Sequence, residues 1–142
     1  MKIMLAVDGS DHALKAVDRL ISHASRLRKS PWVELVHVHR PLPDLPNREL
    51  VVSGAEVKRY YAEEGDACLR PAKEKLDKAG LRYHSKLLVG PVPETLVEHA
   101  EREGCDMIFM GTHGRSGVTN ALLGSVAAKV IRLSPVPVTV AH

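Results

Sequence analysis

Apolar runs of strand length recur five times along the chain. They cover residues 3–7, 32–39, 83–89, 107–110 and 136–141. Several are nearly continuous or rich in β-branched residues, which is typical of strands buried on both faces of a sheet. The segments between them repeat their apolar residues at helical spacing, so the pattern predicts strands that alternate with helices along the whole chain.

Four helices are predicted between these strands. The second covers residues 55–79 and contains Pro71, which lacks a backbone donor, so we expect a kink or a division there. The apolar faces of the other three consist of Leu14, Val17, Leu20, Ile21, Ala24 and Leu27 in the first, Leu96, Val97 and Ala100 in the third, and Val126, Val130, Ile131 and Leu133 in the last.

This alternation predicts an α/β fold with an open, doubly wound, parallel five-stranded sheet and helices on both faces. With the strand order 3-2-1-4-5, the order reverses between strands 1 and 4, and a ligand is expected there, beyond the carboxyl ends of the strands. The residues that leave these two strands are 7–10 and 111–114. The irregular stretch 40–54 follows strand 2 at the same edge, where it is either a flap over the site or a surface loop of variable length.

Glycines concentrate at one of these strand ends. The stretch GTHGRSGVTNALLGSV (111–126) has four of them between a predicted strand and the last predicted helix. Glycine is favoured where the backbone takes a positive φ or where a group approaches the main chain closely. The stretch matches neither the P-loop, G-x-x-x-x-G-K-[ST], nor the dinucleotide fingerprint, G-x-G-x-x-G. With Ser125 as the N-cap of the last helix, we predict a phosphate site built from backbone amides.

Size and composition are those of a globular domain. The 142 residues, 44% hydrophobic and 26% charged, predict one domain over residues 1–142. The apolar start is too short for a signal segment, and no run reaches the roughly 18 apolar residues of a membrane span. We therefore expect a cytoplasmic protein without membrane contact.

The net charge of +3 raises the question of nucleic-acid binding. Basic residues alternate with acidic ones along the chain, and only 4% of the residues are aromatic, which leaves few platforms on which bases could stack. We expect no nucleic-acid partner.

The chain contains two cysteines and a pair of neighbouring histidines that have the chemistry of possible metal or disulfide sites. Cys68 and Cys105 form no C-x-x-C pair and are expected to be small buried residues. His37 and His39 share one face of a strand and could bind a metal, but no third ligand is evident. We favour hydrogen-bonded polar groups at the strand end and predict no metal site.

Several motifs together resemble a known family. Gly111, Gly114, Gly124 and Ser125 match the pattern G-2x-G-9x-G-[ST] without a gap, and the opening IMLAVDGSDHALKAV, the stretch HVHR and the ending SPVPVTVAH accompany it in order. Over its whole length the chain resembles the universal stress protein (UspA-like) family, in the ATP-binding branch that carries this glycine pattern.

The resemblance implies an adenine-nucleotide alpha-hydrolase-like sheet, ATP (or AMP or ADP) as the ligand, Mg²⁺ as a possible companion of the phosphates, and a homodimer through residues 136–141. Asp8 would meet the adenosine, although residues 8–10 could instead form only a turn and a helix cap. Arg115 would either reach a phosphate or be solvated. The residues implied at the nucleotide are Ala6, Val7, Asp8 and Val38 around the adenosine half, Met110 and Gly111 at the ribose, and Gly114, Arg115, Gly124, Ser125 and Val126 toward the phosphates.

Three functions fit these observations. The first is a nucleotide-binding regulatory protein whose conformation or partners depend on occupancy. The second is an enzyme, either a slow ATPase or a nucleotidyl-transfer catalyst, but only Thr112, His113 and Ser116 lie near the predicted phosphates and none is an acid, so we expect no fast hydrolysis. The third is a stress-response interaction module without nucleotide, against which the intact glycine pattern argues.

Overall fold

A computed structural model describes residues 1–42, 54–115 and 122–142. Within these ranges the chain forms five strands and four helices in strict alternation. Their bounds are β1 (Lys2–Ala6), α1 (Asp11–Ala24), β2 (Trp32–His39), α2 (Gly54–Lys78), β3 (Tyr83–Val89), α3 (Val92–Arg102), β4 (Met107–Gly111), α4 (Ser125–Leu133) and β5 (Val138–Ala141).

The strands form one parallel sheet in the order β3-β2-β1-β4-β5, which confirms the predicted topology. Ile3 of β1 lies opposite Val33 on one side and Met107 on the other, and Ile108 lies opposite Val138. The central position of β1 places its carboxyl end beside those of β2 and β4, where the strand order reverses.

Helices cover both faces of the sheet. Helices α1 and α2 pack on one face through Val17, Leu20 and Leu76, whereas α3 and α4 pack on the other through Leu96 and Val130. Because successive strand residues point to opposite faces, alternate residues of β1 enter the two apolar clusters, and both sets are buried. Cys68 and Cys105 are buried, as predicted.

Some local predictions were wrong. Helix α2 continues through Pro71 as one element, so the predicted division was wrong, whereas the alternative of a kink at Pro71 stays a prediction. Ile131 and Leu133 are 44% and 42% exposed, because α4 turns Ala127 and Val130 toward the sheet instead. Strand β5 begins at Val138 rather than at residue 136.

Two other expectations concern the irregular stretch after β2 and the membrane span. Residues 43–53, most of the predicted flap or surface loop, lie outside the described residues, and both readings of that stretch stay predictions. None of the helices in the described ranges combines the length and apolarity that a membrane span needs.

A buried polar cluster lies near the amino ends of the strands. Glu34 of β2 is 1% exposed, and its Oε1 is 3.1 Å from Nε2 of His99, which is 2% exposed. Nδ1 of His99 accepts from the Arg102 guanidinium at 2.8 Å, so Nε2 carries the proton and donates to Glu34. Lys2 Nζ is 3.6 Å from the other Glu34 oxygen and 3.0 Å from a Glu103 carboxylate oxygen. Every polar group in this cluster therefore has a partner.

Candidate functional site

A cavity of about 650 Å³ opens at the carboxyl ends of β1, β2 and β4 and at the start of α4. All eleven residues that were predicted from the sequence to bind a ligand line it, although their contacts with a ligand stay a prediction. They are Ala6, Val7, Asp8, Val38, Met110, Gly111, Gly114, Arg115, Gly124, Ser125 and Val126.

The cavity also has walls that were absent from the predicted set. Strand alternation places Val36 on the same side as Val38 and could have identified it, whereas residues of α3 enter only through tertiary packing. The additional lining residues are Ala13, Val36, His37, His39, Arg40, Val92, Leu96, Thr112, His113, Leu123 and Ala127.

The glycines of the motif are required by close approach of the chain to itself. A Cβ on Gly111 would lie 2.8 Å from backbone atoms of His12, and one on Gly124 would lie 2.9 Å from the Thr112 carbonyl oxygen. A Cβ on Gly114 would lie 2.7 Å from a carboxylate oxygen of Asp8. In the described part of the chain, positive φ occurs at other glycines, so that reason was wrong for these three.

The start of α4 differs from the prediction in one residue. Gly124 is the N-cap, with φ −71° and ψ 157°, and Ser125 is the first helical residue rather than the cap. No side chain caps this end, and no acid lies in its first turn. The first backbone N–H groups of a helix have no intrahelical acceptor, and the helix dipole makes this end positive. The first three residues of α4 line the cavity, so the cavity contains the chemistry of an anion site.

The start of α1, at the same sheet edge, is closed by side chains. Ser10 caps the helix, with its Oγ accepting from the Ala13 N–H at 3.2 Å. Asp8 accepts from the Ser10 N–H at 3.0 Å through one carboxylate oxygen and from the Arg115 N–H at 3.1 Å through the other. Asp8 therefore joins the β1–α1 turn to the glycine segment, and the helix cap is Ser10.

Arg115 is exposed, which agrees with the solvated alternative, and it also contacts two other segments of the chain. Besides its backbone contact with Asp8, its Nη1 lies 3.9 Å from Sγ of Cys68 on α2. Burial raises the pKa of the Cys68 thiol, which the positive charge of Arg115 only partly opposes, so the group beside the guanidinium is a neutral thiol.

Two histidines lie at the β2 side of the cavity. His37 is 5% exposed and its Nδ1 donates to the Val7 carbonyl oxygen at 2.8 Å. Nδ1 of His39 donates to the Arg40 carbonyl oxygen at 2.6 Å, and its ring contacts Tyr61 with centroids 4.8 Å apart. Across the described ranges no group of three or more His, Cys, Asp or Glu side chains could hold a metal ion.

Comparison with known proteins places the chain. A model of the "Universal stress protein family" matches residues 1–142. Universal stress protein MJ0531 of Methanocaldococcus jannaschii is 33% identical over 139 residues, which cover 98% of this chain and 80% of that protein. The solved structure of MJ0577 from the same organism matches with a TM-score of 0.81 and 31% identity over 99% of this chain and 94% of its own.

A second solved structure, a universal stress protein in complex with cAMP, matches with a TM-score of 0.72 and 27% identity over 100% of this chain and 97% of its own. The family match over the full length, the identity to MJ0531 and the shared sheet topology agree. The chain belongs to the universal stress protein family.

Proposed function

We propose that the cavity binds an adenine nucleotide, ATP in the first place, and that occupancy regulates the conformation or the partners of the protein. The observation that carries the proposal is the start of α4, which lines the cavity. Its N-cap is Gly124, no side chain caps it, and its first turn contains no acidic residue. The related universal stress protein in complex with cAMP supports an adenine nucleotide as the ligand class.

The chemistry of the cavity orients such a ligand. The phosphates belong at the positive end of α4, with Gly114, Gly124, Ser125 and Val126 around them. The nucleoside then extends across β1 toward β2, about 9 to 10 Å away at the usual strand spacing, where Asp8 and the apolar lining provide a pocket for a base.

The ribose lies between these two ends. Met110 and Gly111 end β4 there, and Ala6, Val7 and Val38 end the strands on the nucleoside side. The family resemblance implies these positions for the nucleotide, and the fact that all of them line one cavity supports the proposal.

A metal ion would have to be carried largely by the phosphates. Asp8 is the only acid among the described residues that line the cavity, and both of its oxygens already accept backbone N–H groups. Hydrolysis of ATP normally uses a carboxylate that holds the metal and a residue that orients water. We therefore propose binding and regulation rather than rapid turnover.

The substitution Ser125→Pro tests the phosphate site. Proline is well tolerated as the first helical residue, and ψ 157° at Gly124 suits a residue that precedes proline, so the fold should persist. The variant removes one N–H that we place at a phosphate, and a hydrogen bond to a charged group is worth about 1.5 to 3 kcal/mol. Calorimetric titration should show ATP affinity lower by about tenfold or more.

The matched control is Ser125→Ala, which keeps the N–H and removes only the hydroxyl. It should lose less affinity than Ser125→Pro. Equal affinity of the proline variant and the wild type would place the phosphates elsewhere. Denaturing the purified protein and identifying any released molecule by mass spectrometry tests the ligand class separately, and a ligand without adenine would refute it.

A further inference from the structure

One ring nitrogen of His37 has no hydrogen-bond partner among the described residues. Its Nδ1 donates to the Val7 carbonyl oxygen, and this is the sole hydrogen bond of the side chain within the part that the structure describes. Among the described residues, the one side-chain nitrogen or oxygen that is both sealed from solvent and unpaired belongs to His12. Nε2 of His37 is therefore accessible, and the buried residue lines the cavity.

The protonation of this ring is determined by its surroundings. A carbonyl oxygen only accepts, so Nδ1 carries the proton. Burial lowers the pKa of His37 below 6.5, which outweighs the bond to Val7, and the ring is neutral at physiological pH. Nε2 then has a lone pair and no proton. A ligand must supply an N–H or O–H donor to satisfy it.

The position of His37 identifies which part of a nucleotide meets it. The residue lies near the carboxyl end of β2, and the start of α4 lies beyond β4, on the other side of β1. The phosphates that we place at α4 are thus two strands away, and they carry acceptors rather than donors. The nucleoside carries donors, in the amino group of the base and the hydroxyls of the ribose.

We infer that His37 recognises the nucleoside by accepting a hydrogen bond at Nε2 from its amino or hydroxyl group. The inference rests on the proposed nucleotide function and adds a specificity residue to it. In this arrangement the backbone of Val7 selects the tautomer of the ring, and the tautomer selects a donor on the ligand.

The test compares His37→Asn with the wild type. The asparagine amide lies where Nδ1 was and can still donate to Val7, but nothing replaces the acceptor at the Nε2 position. Calorimetric titration should show ATP affinity lower by about three- to tenfold, the range for a neutral hydrogen bond. Affinity for inorganic tripolyphosphate, which has no nucleoside, should be unchanged. His37→Gln, which places an acceptor near the Nε2 position, should recover part of the ATP affinity.

Two further ligands identify the donor. If it is the amino group of the base, the wild type prefers ATP to ITP, which has an oxygen at that position, and His37→Asn loses the preference. If it is the 2′-hydroxyl, the wild type prefers ATP to 2′-deoxy-ATP, and the variant loses that preference instead. Either pattern supports the inference.

Acid provides a second readout. Protonation turns Nε2 into a donor, so the ratio of wild-type to His37→Asn affinity for ATP should fall as the pH drops through the lowered pKa of His37 and stay constant at neutral and alkaline pH. Titration of the ATP phosphates affects both proteins and cancels in the ratio.

Equal ATP affinity in the two proteins, or an equal loss for tripolyphosphate, would overturn the role of His37 and leave the nucleotide site intact. Failure of the wild type to bind ATP would instead contradict the proposed function. If His37→Asn melts well below the wild type, the His37→Gln titration and the acid ratio in the folded range decide the matter.

Discussion

Two buried histidines near opposite ends of the sheet show how a polar group becomes structural or functional. His99 uses both ring nitrogens, one toward Glu34 and one toward Arg102. His37 uses one, toward Val7, its other ring nitrogen has no partner among the described residues, and the residue lines the cavity. Burial is nearly the same for the two residues. The difference lies in what remains unsatisfied, because a buried polar atom without a partner requires one from outside the chain.

The starts of α1 and α4, both at the carboxyl edge of the sheet, differ in the same way, because side chains cap the first and not the second. At α1, Ser10 caps the helix and Asp11 lies in its first turn. At α4, a glycine is the cap, and neither a side-chain bond nor an acid is present. The free donors of α4 and the free acceptor of His37 border one cavity, which suits a ligand with phosphates at one end and hydrogen-bond donors at the other.

The largest expected effect is at the buried polar cluster around Glu34 and His99, near the amino ends of the strands, which we call the closed end of the sheet. Glu34→Ala removes one of the two acidic partners of Lys2 and leaves the buried Nε2–H of His99 without its acceptor. Leaving a buried hydrogen-bond donor unsatisfied costs about 1 to 3 kcal/mol. Denaturant unfolding should show a fall in the free energy of unfolding of about that size, while ATP affinity of the folded protein stays within about twofold of the wild type.

Glu103→Ala is the matched control for Glu34→Ala. Glu103 also pairs with Lys2, but its side chain is 33% exposed, and such a pair contributes about 1 kcal/mol or less. A larger stability loss from Glu103→Ala than from Glu34→Ala would refute the view that the buried cluster is structural.

A smaller effect, on both stability and binding, is expected at Asp8. Asp8→Ala removes the acceptor of the Ser10 and Arg115 N–H groups, so the β1–α1 turn and the glycine segment are no longer joined. We expect the free energy of unfolding to fall by about 1 to 2 kcal/mol and ATP affinity to fall by about tenfold. Thermal melting and calorimetry measure the two quantities.

Asp11→Ala controls for the charge change, since Asp11 is an exposed acid in the next turn. It should leave ATP affinity close to that of the wild type. If Asp8→Ala loses stability and retains full affinity, Asp8 belongs with the paired groups of the closed end and not with the site.

The smallest effect concerns the association of two copies of the chain. This association involves neither the buried polar cluster nor the cavity. Strand β5 lies at a sheet edge, and Val138 and Val140 are half-buried on the α3–α4 face. An apolar edge favours pairing with another chain, and we predict an isologous homodimer there. Val138→Lys should raise the dimer dissociation constant by about tenfold, a change of about 1.4 kcal/mol, in light scattering at several concentrations.

Val89→Lys is the control for Val138→Lys, because Val89 is an exposed valine at the end of the opposite edge strand, β3. It should leave the dimer intact. A wild-type monomer at micromolar concentration would rule out the dimer itself.

Much of the fold could be predicted from local pattern. The apolar runs placed all five strands, and they are nearly continuous in β1, β2 and β4, which are buried on both faces. The start of β5 was two residues off. Pro137 has no N–H to donate, but its carbonyl oxygen accepts from Ile108, so the sheet contact begins at the proline and the strand begins after it.

The lining residues of the site were predictable to the extent that strand ends and the glycine motif marked them. The sequence did not allow the contacts of Asp8, Ser125 and Arg115 to be predicted. Each contact joins segments that are distant in sequence or depends on a local backbone angle. The Asp8–Arg115 bond joins residues 107 positions apart, and the Arg115–Cys68 contact joins α2 to the glycine segment.

The sequence by itself determined the order of strands and helices, the position of the glycines at the end of β4 and the family to which the chain belongs. These follow from periodicity and from the residue types that particular backbone contacts require. Only the tertiary structure decided which polar groups find partners inside the chain. Pairing depends on which side chains the packed sheet and helices bring within hydrogen-bond distance. Glu34 and His99 pair with each other, while one nitrogen of His37 has no partner among the described residues and the first residues of α4 line the cavity.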